Sequence, residues 1–167
     1  MEYIIRKGTP NDVEAIHKLI VELAVYEREP DAVKTTPEQL LKDGFGEHPF
    51  FHVYVVDRVN NETAKIDVIG MALYFFQYST WEGKVLFLED LYITPECRGA
   101  GLGKKLLVTL AQEAKDQNCK RFQWQVLFWN EPSINFYKST GAKEMSDWRI
   151  YRMNEEQLFA FLEAQKT

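Results

Sequence analysis

VLFLEDLYITPECRGAGLGKKL, Val85–Leu106, is the stretch that decides how this chain folds. Its first nine residues, Val85–Ile93, are apolar or aromatic except for two adjacent acids, Glu89 and Asp90, and read as a buried strand. Pro95 ends that strand. Glycines at 99, 101 and 103 follow, and then Leu102, Leu106, Leu110 and Ala114 recur every four residues, which predicts an amphipathic helix over Lys104–Asn118. A strand, a glycine-rich turn and a helix in that order can bind an anion. The helix N-terminus offers unpaired N–H groups, and glycine lets them crowd one point. Arg98 and Lys104 add positive charge. A tight strand-to-helix connection would use the same glycines without any ligand. The loop is neither GxGxxG nor GxxxxGK[ST], because its glycines alternate strictly.

The two acids demand a separate account. An unpaired buried carboxylate costs several kcal/mol or more. On a regular strand Glu89 and Asp90 point to opposite faces, so only one of them can face a given ligand. A bulge at this point would let both converge. The sequence leaves that choice open.

Outward from this core, the chain alternates strand and helix signals. Tyr3–Lys7 reads as a first strand. Thr9, Pro10 and Asp12 start a helix whose apolar face is Val13, Ile16, Ile20, Leu23 and Ala24, running to about Tyr26. A polar loop with Glu27, Glu29 and Asp31 leads to a short helix from Thr36-Pro37 to near Gly44. Phe50–Val59 and Val68–Tyr78 flank the turn NNETAK and read as antiparallel neighbours. After the central unit come a strand at Phe122–Trp129 and a helix capped by Asn130 and closed by Gly141. A late strand at Trp148–Met153 and a last helix begun by Asn154 and Gln157 complete the chain. The order β, α, α, β, β, β, α, β, α, β, α implies an α/β (α+β) protein: a mixed, mostly antiparallel central sheet flanked by helices.

With 167 residues, 46% hydrophobic and 27% charged, the chain is long enough for one domain with a substantial core, and no linker-like stretch divides it. A net charge of −5 argues against general binding to nucleic acid or anionic membranes. Its apolar runs are too short for a signal peptide or a membrane span. Cys97 and Cys119 are isolated and read as reduced thiols of a cytoplasmic protein. The three histidines lack a metal-ligand spacing, so no metal is expected.

A second segment, VLFWNEPSINFYKSTGA (Val126–Ala142), carries Tyr137 on a helix behind an apolar strand. Tyr137 reads either as an ordinary amphipathic tyrosine or as a proton donor, since a phenol can protonate a departing thiolate. Asn130 and Ser133 read as helix-start residues.

Together the two segments resemble the Gcn5-related N-acetyltransferase (GNAT) family. CRGAGLG supplies Arg98, Gly101 and Gly103 of its Arg/Gln-x-x-Gly-x-Gly/Ala loop. Asn130, Ser133, Tyr137 and Gly141 match its later Asn-x-x-(Ala/Ser)-x-x-x-Tyr segment. LIVELAVYE, DGFGEHPFFH, LEDLYITPECRGAGLG and WNEPSINFYKSTGA look like the diamine and polyamine N-acetyltransferases of that family, the spermidine/spermine N1- and thialysine N-epsilon-acetylating groups.

The resemblance implies a GNAT-type acyl-CoA N-acyltransferase fold over residues 1–167 and acetyl-CoA as cosubstrate. Leu91, Tyr92 and Ile93 would offer strand backbone to the pantetheine arm. Arg98, Gly99, Ala100, Gly101, Leu102, Gly103 and Lys104 would hold the pyrophosphate. Asn130, Glu131, Pro132 and Ser133 would line the rest of the coenzyme site. Tyr137 would be the general acid. Tyr26, Glu27, Glu89 and Trp148 would bind the amine, with Glu89 also the route for its proton. A homodimer is implied as well.

The residues agree on the need for acids, because a primary amine is protonated at neutral pH and carboxylates attract it. Two departures bear on the substrate. The turn YSTW has Ser79 where the spermidine/spermine enzymes carry an acid, and the loop KEMSD before Trp148 is shorter, with Asp147 a shifted substitute. Fewer acids favour a shorter diamine or a lysine analogue over spermine. The competing readings are a protein lysine or N-terminal acetyltransferase, against which the compact acidic loop Tyr26–Asp31 argues, and a non-catalytic acyl-CoA-binding module, against which Tyr137 and Glu89 argue.

Overall fold

The structure, a computed structural model, describes residues 1–166 and divides into two compact units, Met1–Leu127 and the residues from Phe128 on. In the first unit, five strands form one sheet in the order β1 (Glu2–Lys7), β2 (His52–Asn60), β3 (Lys65–Ser79), β4 (Gly83–Ile93) and β5 (Arg121–Trp124). Neighbours are antiparallel except β4 and β5, which run parallel. A parallel pair needs a crossover, and α3 (Leu102–Asp116) supplies it. This is the mixed, mostly antiparallel sheet with flanking helices that the sequence predicts.

One face of the sheet is covered by α1 (Val13–Tyr26) and α2 (Pro37–Phe45). Ile16 and Leu19 of α1 and Leu40 of α2 pack with Val53, Val55, Met71, Leu73 and Tyr92 of the sheet. The predicted leucine stripe, Leu102, Leu106 and Leu110, is buried where α3 lies against β3, β4 and β5. Fully burying each such side chain stabilises by about 1.5–3 kcal/mol.

The sheet has two register breaks. Val56 faces Gly70 but Asp57 faces Val68, so Ile69 has no residue opposite. Leu73 faces Asp90 but Tyr74 faces Leu88, so Glu89 has none. Asp57, near the first break, is buried together with Asp12, and Arg6 forks between them. Its Nε donates to Asp57 at 2.6 Å, and its Nη1 and Nη2 donate to Asp12 at 2.7 and 2.8 Å. Thr9 adds its backbone N–H and its hydroxyl to Asp12, each at 2.8 Å. The Arg6 guanidinium, with Thr9, holds the Asp12 carboxyl down to about 2.

In the second unit, α4 (Glu131–Lys138) starts where the Asn130 side chain accepts from the Ser133 N–H, as predicted. α5 (Glu155–Glu163) opens on a reciprocal Asn154–Gln157 box, also predicted. The expected strand at Trp148–Met153 does not form: that segment is irregular. Its alternation W-R-I-Y-R-M suits a strand, but a strand exists only through a ladder, and among the described residues the sheet does not include this segment. β5 is likewise shorter than predicted, ending at Trp124 rather than Trp129. Its pairing stops opposite Leu88, immediately before the break at Glu89.

Candidate functional site

The break at Glu89 is a β-bulge, and it settles which way Asp90 faces. Residues directly opposite in an antiparallel pair lie on the same face. Tyr74 and Leu88 are opposite, and the next pair is Leu73 with Asp90. Leu73 belongs to the core under α1, so Asp90 lies on the α1 face. Without the extra residue, Asp90 would have turned to the α3 face. The bulge therefore turns Asp90 to the α1 face, beside the end of α1, where a regular strand continued from Leu88 would not place it.

At the C-terminal end of α1, Glu27 joins the two acids. Burial, then the charges of Glu89 and Glu27, push the Asp90 carboxyl up to about 7. Burial also raises Glu27. Among the described residues, neither Glu27, Glu89 nor Asp90 makes a salt bridge or a side-chain hydrogen bond. Glu89 is exposed and Asp90 is half-buried. Three carboxylates without a cation form a strongly negative spot that attracts one.

The bulge also frees one edge of β4. From Val85 to Leu88 that strand is paired on both sides, by β3 and β5. Among the described residues, Asp90 to Ile93 pairs with β3 and with no strand on its other side. Its backbone N–H and C=O groups there can receive an extended, amide-bearing chain as an added strand. Leu91, Tyr92 and Ile93 are the residues in question.

The glycine loop starts where this free edge ends. Gly99 and Gly101 have φ of +84° and +74°, which side chains disfavour, and a Cβ on either would meet nothing within 4 Å. Their glycine character thus serves the backbone path, and the space above them is open. Gly101 precedes the first turn of α3, a 15-residue helix whose leading N–H groups and dipole favour an anion. Lys104 and Arg98 are exposed beside it. Arg98 also braces the loop: its Nε donates to the Ile93 carbonyl at 2.9 Å, and its guanidinium lies 5.1 Å from the Tyr26 ring and 5.3 Å from the Tyr92 ring. It links the end of α1, the end of β4 and the loop.

The first unit thus brings together Tyr26, Glu27, Glu89, Leu91, Tyr92, Ile93, Arg98 and the glycine loop. Asn130, Glu131, Pro132, Ser133 and Tyr137 belong to the second unit, at the start and on the body of α4. Tyr137 lies beside Phe136, with ring centroids 5.1 Å apart. Trp148 lies in the irregular segment between α4 and α5, its N–H directed to the Met145 carbonyl at 3.4 Å. Asp90 is the residue whose importance sequence reasoning left unassigned. Its signal was in plain view as the second of two adjacent acids, but its direction depends on register with β3.

Among the described residues, no cluster of three or more His, Cys, Asp or Glu could hold a metal, and no helix is long and apolar enough to cross a membrane. Residues 14–142 match the acetyltransferase (GNAT) family. The chain is 39% identical over 158 residues to thialysine N-epsilon-acetyltransferase of Sus scrofa, covering 92% of this chain and 93% of that protein. It is 40% identical over 165 residues to the spermidine/spermine N(1)-acetyltransferase-like protein 1 of Homo sapiens, covering 95% of this chain and 24% of that longer protein. Its fold is similar to that of AAC(6')-Iy in complex with the bisubstrate analog CoA-S-monomethyl-acetylneamine, with a TM-score of 0.70 at 17% identity over 92% of this chain and 99% of that one. The family match over residues 14–142 and the 39% identity over 92% of the chain show that the chain belongs to the acetyltransferase (GNAT) family.

Proposed function

We propose that the protein transfers the acetyl group of acetyl-CoA directly to the primary amine of a small cationic acceptor, a diamine or a thialysine-like lysine analogue. The observation that carries this reading is the bulge at Glu89. It joins a backbone edge open to an extended acyl carrier to a set of acids that, among the described residues, form no salt bridge. The glycine loop supplies the anion cradle for the pyrophosphate, with Lys104 and Arg98 as charges. Glu27 and Glu89 hold the ammonium with Tyr26, and Trp148 completes the amine site. Asn130 to Ser133 line the remainder of the coenzyme site, and Tyr137 protonates the departing sulfur. Similarity to thialysine N-epsilon-acetyltransferase, together with Ser79 in the YSTW turn, supports a short acceptor over spermine. A homodimer and a cytoplasmic setting belong to the same reading.

The test is mass spectrometry of purified protein with acetyl-CoA and thialysine, lysine, putrescine, spermidine, spermine and a basic peptide. Monoacetylated thialysine or a diamine is expected as the main product. Acetylation of the peptide alone would refute the small acceptor, and acetylation of nothing would refute the reaction. Tyr137→Phe is expected to lower kcat about 100-fold with coenzyme A still bound, as measured by calorimetry.

A further inference from the structure

We propose that Asp90, rather than Glu89, takes the proton from the bound ammonium, while Glu89 and Glu27 hold the cation. The proposal rests on the amine-acetylating function above and assigns a chemical role within it.

The geometry separates the two neighbours. Glu89 is the bulged residue, exposed to water with no residue opposite on β3. In that water-exposed position it serves as a charge for the arriving cation. Asp90 is held in register opposite Leu73, half-buried on the α1 face. Around it, β4 contributes the negative charge of Glu89, α1 contributes that of Glu27, and β3 contributes an apolar side chain. The nearby guanidinium of Arg98 is placed instead against the Ile93 carbonyl and the two tyrosine rings. Burial beside two like charges raises the carboxyl to about 7, within the range where a general base works best near neutral pH.

The step balances. The Asp90 carboxylate takes one proton from R–NH3+ and becomes a carboxylic acid, leaving R–NH2. The nitrogen lone pair attacks the thioester carbonyl, a C–N bond forms and the C–S bond breaks. Tyr137 gives its proton to the departing sulfur, and the nitrogen's second proton restores the phenol. Asp90 then returns its proton to water, so each turnover yields amide, thiol and one released proton.

The deciding experiment is the pH dependence of kcat/KM with acetyl-CoA and thialysine or putrescine for the wild type, Asp90→Asn, Asp90→Glu and Glu89→Gln. The wild type is expected to show an acid limb near pH 7, following the raised Asp90 carboxyl. Asp90→Asn should lose that limb and about 100-fold in kcat, with activity rising instead as the free amine loses its own proton. Asp90→Glu should restore a limb. Glu89→Gln should raise KM and move the limb to lower pH, because one like charge is gone. A limb that survives in Asp90→Asn, or that disappears in Glu89→Gln, would overturn the assignment while leaving amine acetylation intact. A wild type that acetylates no amine would overturn both. Should Asp90→Asn fail to fold, the direction of the Glu89→Gln shift still decides.

Discussion

Two register breaks in one sheet have opposite electrostatic fates. Near the break opposite Ile69, Asp57 and Asp12 are buried and Arg6 forks between them. At the break on Glu89, Glu89, Asp90 and Glu27 gather with no cation among the described residues. The first set reaches its low-energy charged state by internal pairing, and Asp12 is held down to about 2. The second is left wanting, and Asp90 rises to about 7. Acids that hold a fold are given their counter-ion by the fold. Under the proposed function the second set receives its counter-ion with the substrate, and the Asp12 and Asp90 carboxyls record the difference.

The largest expected effect breaks the first set. Arg6→Met leaves two buried carboxylates without their cation and should cost about 3–5 kcal/mol, read as a large fall in Tm. The pH profile of kcat/KM should keep its limb near pH 7 in the protein that remains folded, since the two acid sets are separate.

Acid pH tests the same pair by titration. The folded pKa of Asp12 is depressed, so its stabilisation is present above the unfolded value of 3.8 and is lost as pH falls through about 2. Wild-type stability should drop by about 2 kcal/mol from this group between pH 5 and pH 2, and Asp12→Asn should flatten that drop.

For Asp90 the sign reverses. Its folded pKa is raised, so folding favours the protonated form, and stability is lost as pH rises from 3.8 through about 7. Asp90→Asn should therefore be more stable than wild type at pH 8 by about 1–2 kcal/mol and nearly equal to it at pH 3, as followed by urea unfolding. A destabilised variant at pH 8 would mean that a partner for Asp90 exists.

The smallest effect concerns Glu27, at the end of α1. Glu27→Gln should raise KM for a diamine about threefold at moderate ionic strength, with kcat nearly unchanged.

Much of this contrast was readable from residues, and some could not have been. Local signals succeeded. The leucine stripe of α3, the Asn130 and Asn154 caps and the glycine loop all depend on residues within a few positions of one another. Both acids on β4 were visible too, but their direction was not, because a bulge is a property of β4 paired with β3 and not of either alone. The Arg6–Asp57 bond spans 51 positions, and nothing local marks Asp57 in a run of valines as the partner of Arg6. The strand expected at Trp148–Met153 failed for the same reason in reverse: the alternation was present, but among the described residues the segment is not part of the sheet.

Proton release on amine binding tests most directly whether the acids on β4 wait for a cation. Titrating putrescine into the protein at pH 7 by calorimetry, in two buffers of different ionisation enthalpy, should show about half a proton released per amine bound, because an arriving ammonium displaces the proton that Asp90 carries near its raised pKa. Asp90→Asn should abolish most of that release. A binding enthalpy identical in both buffers, or a release unchanged in Asp90→Asn, would contradict the account.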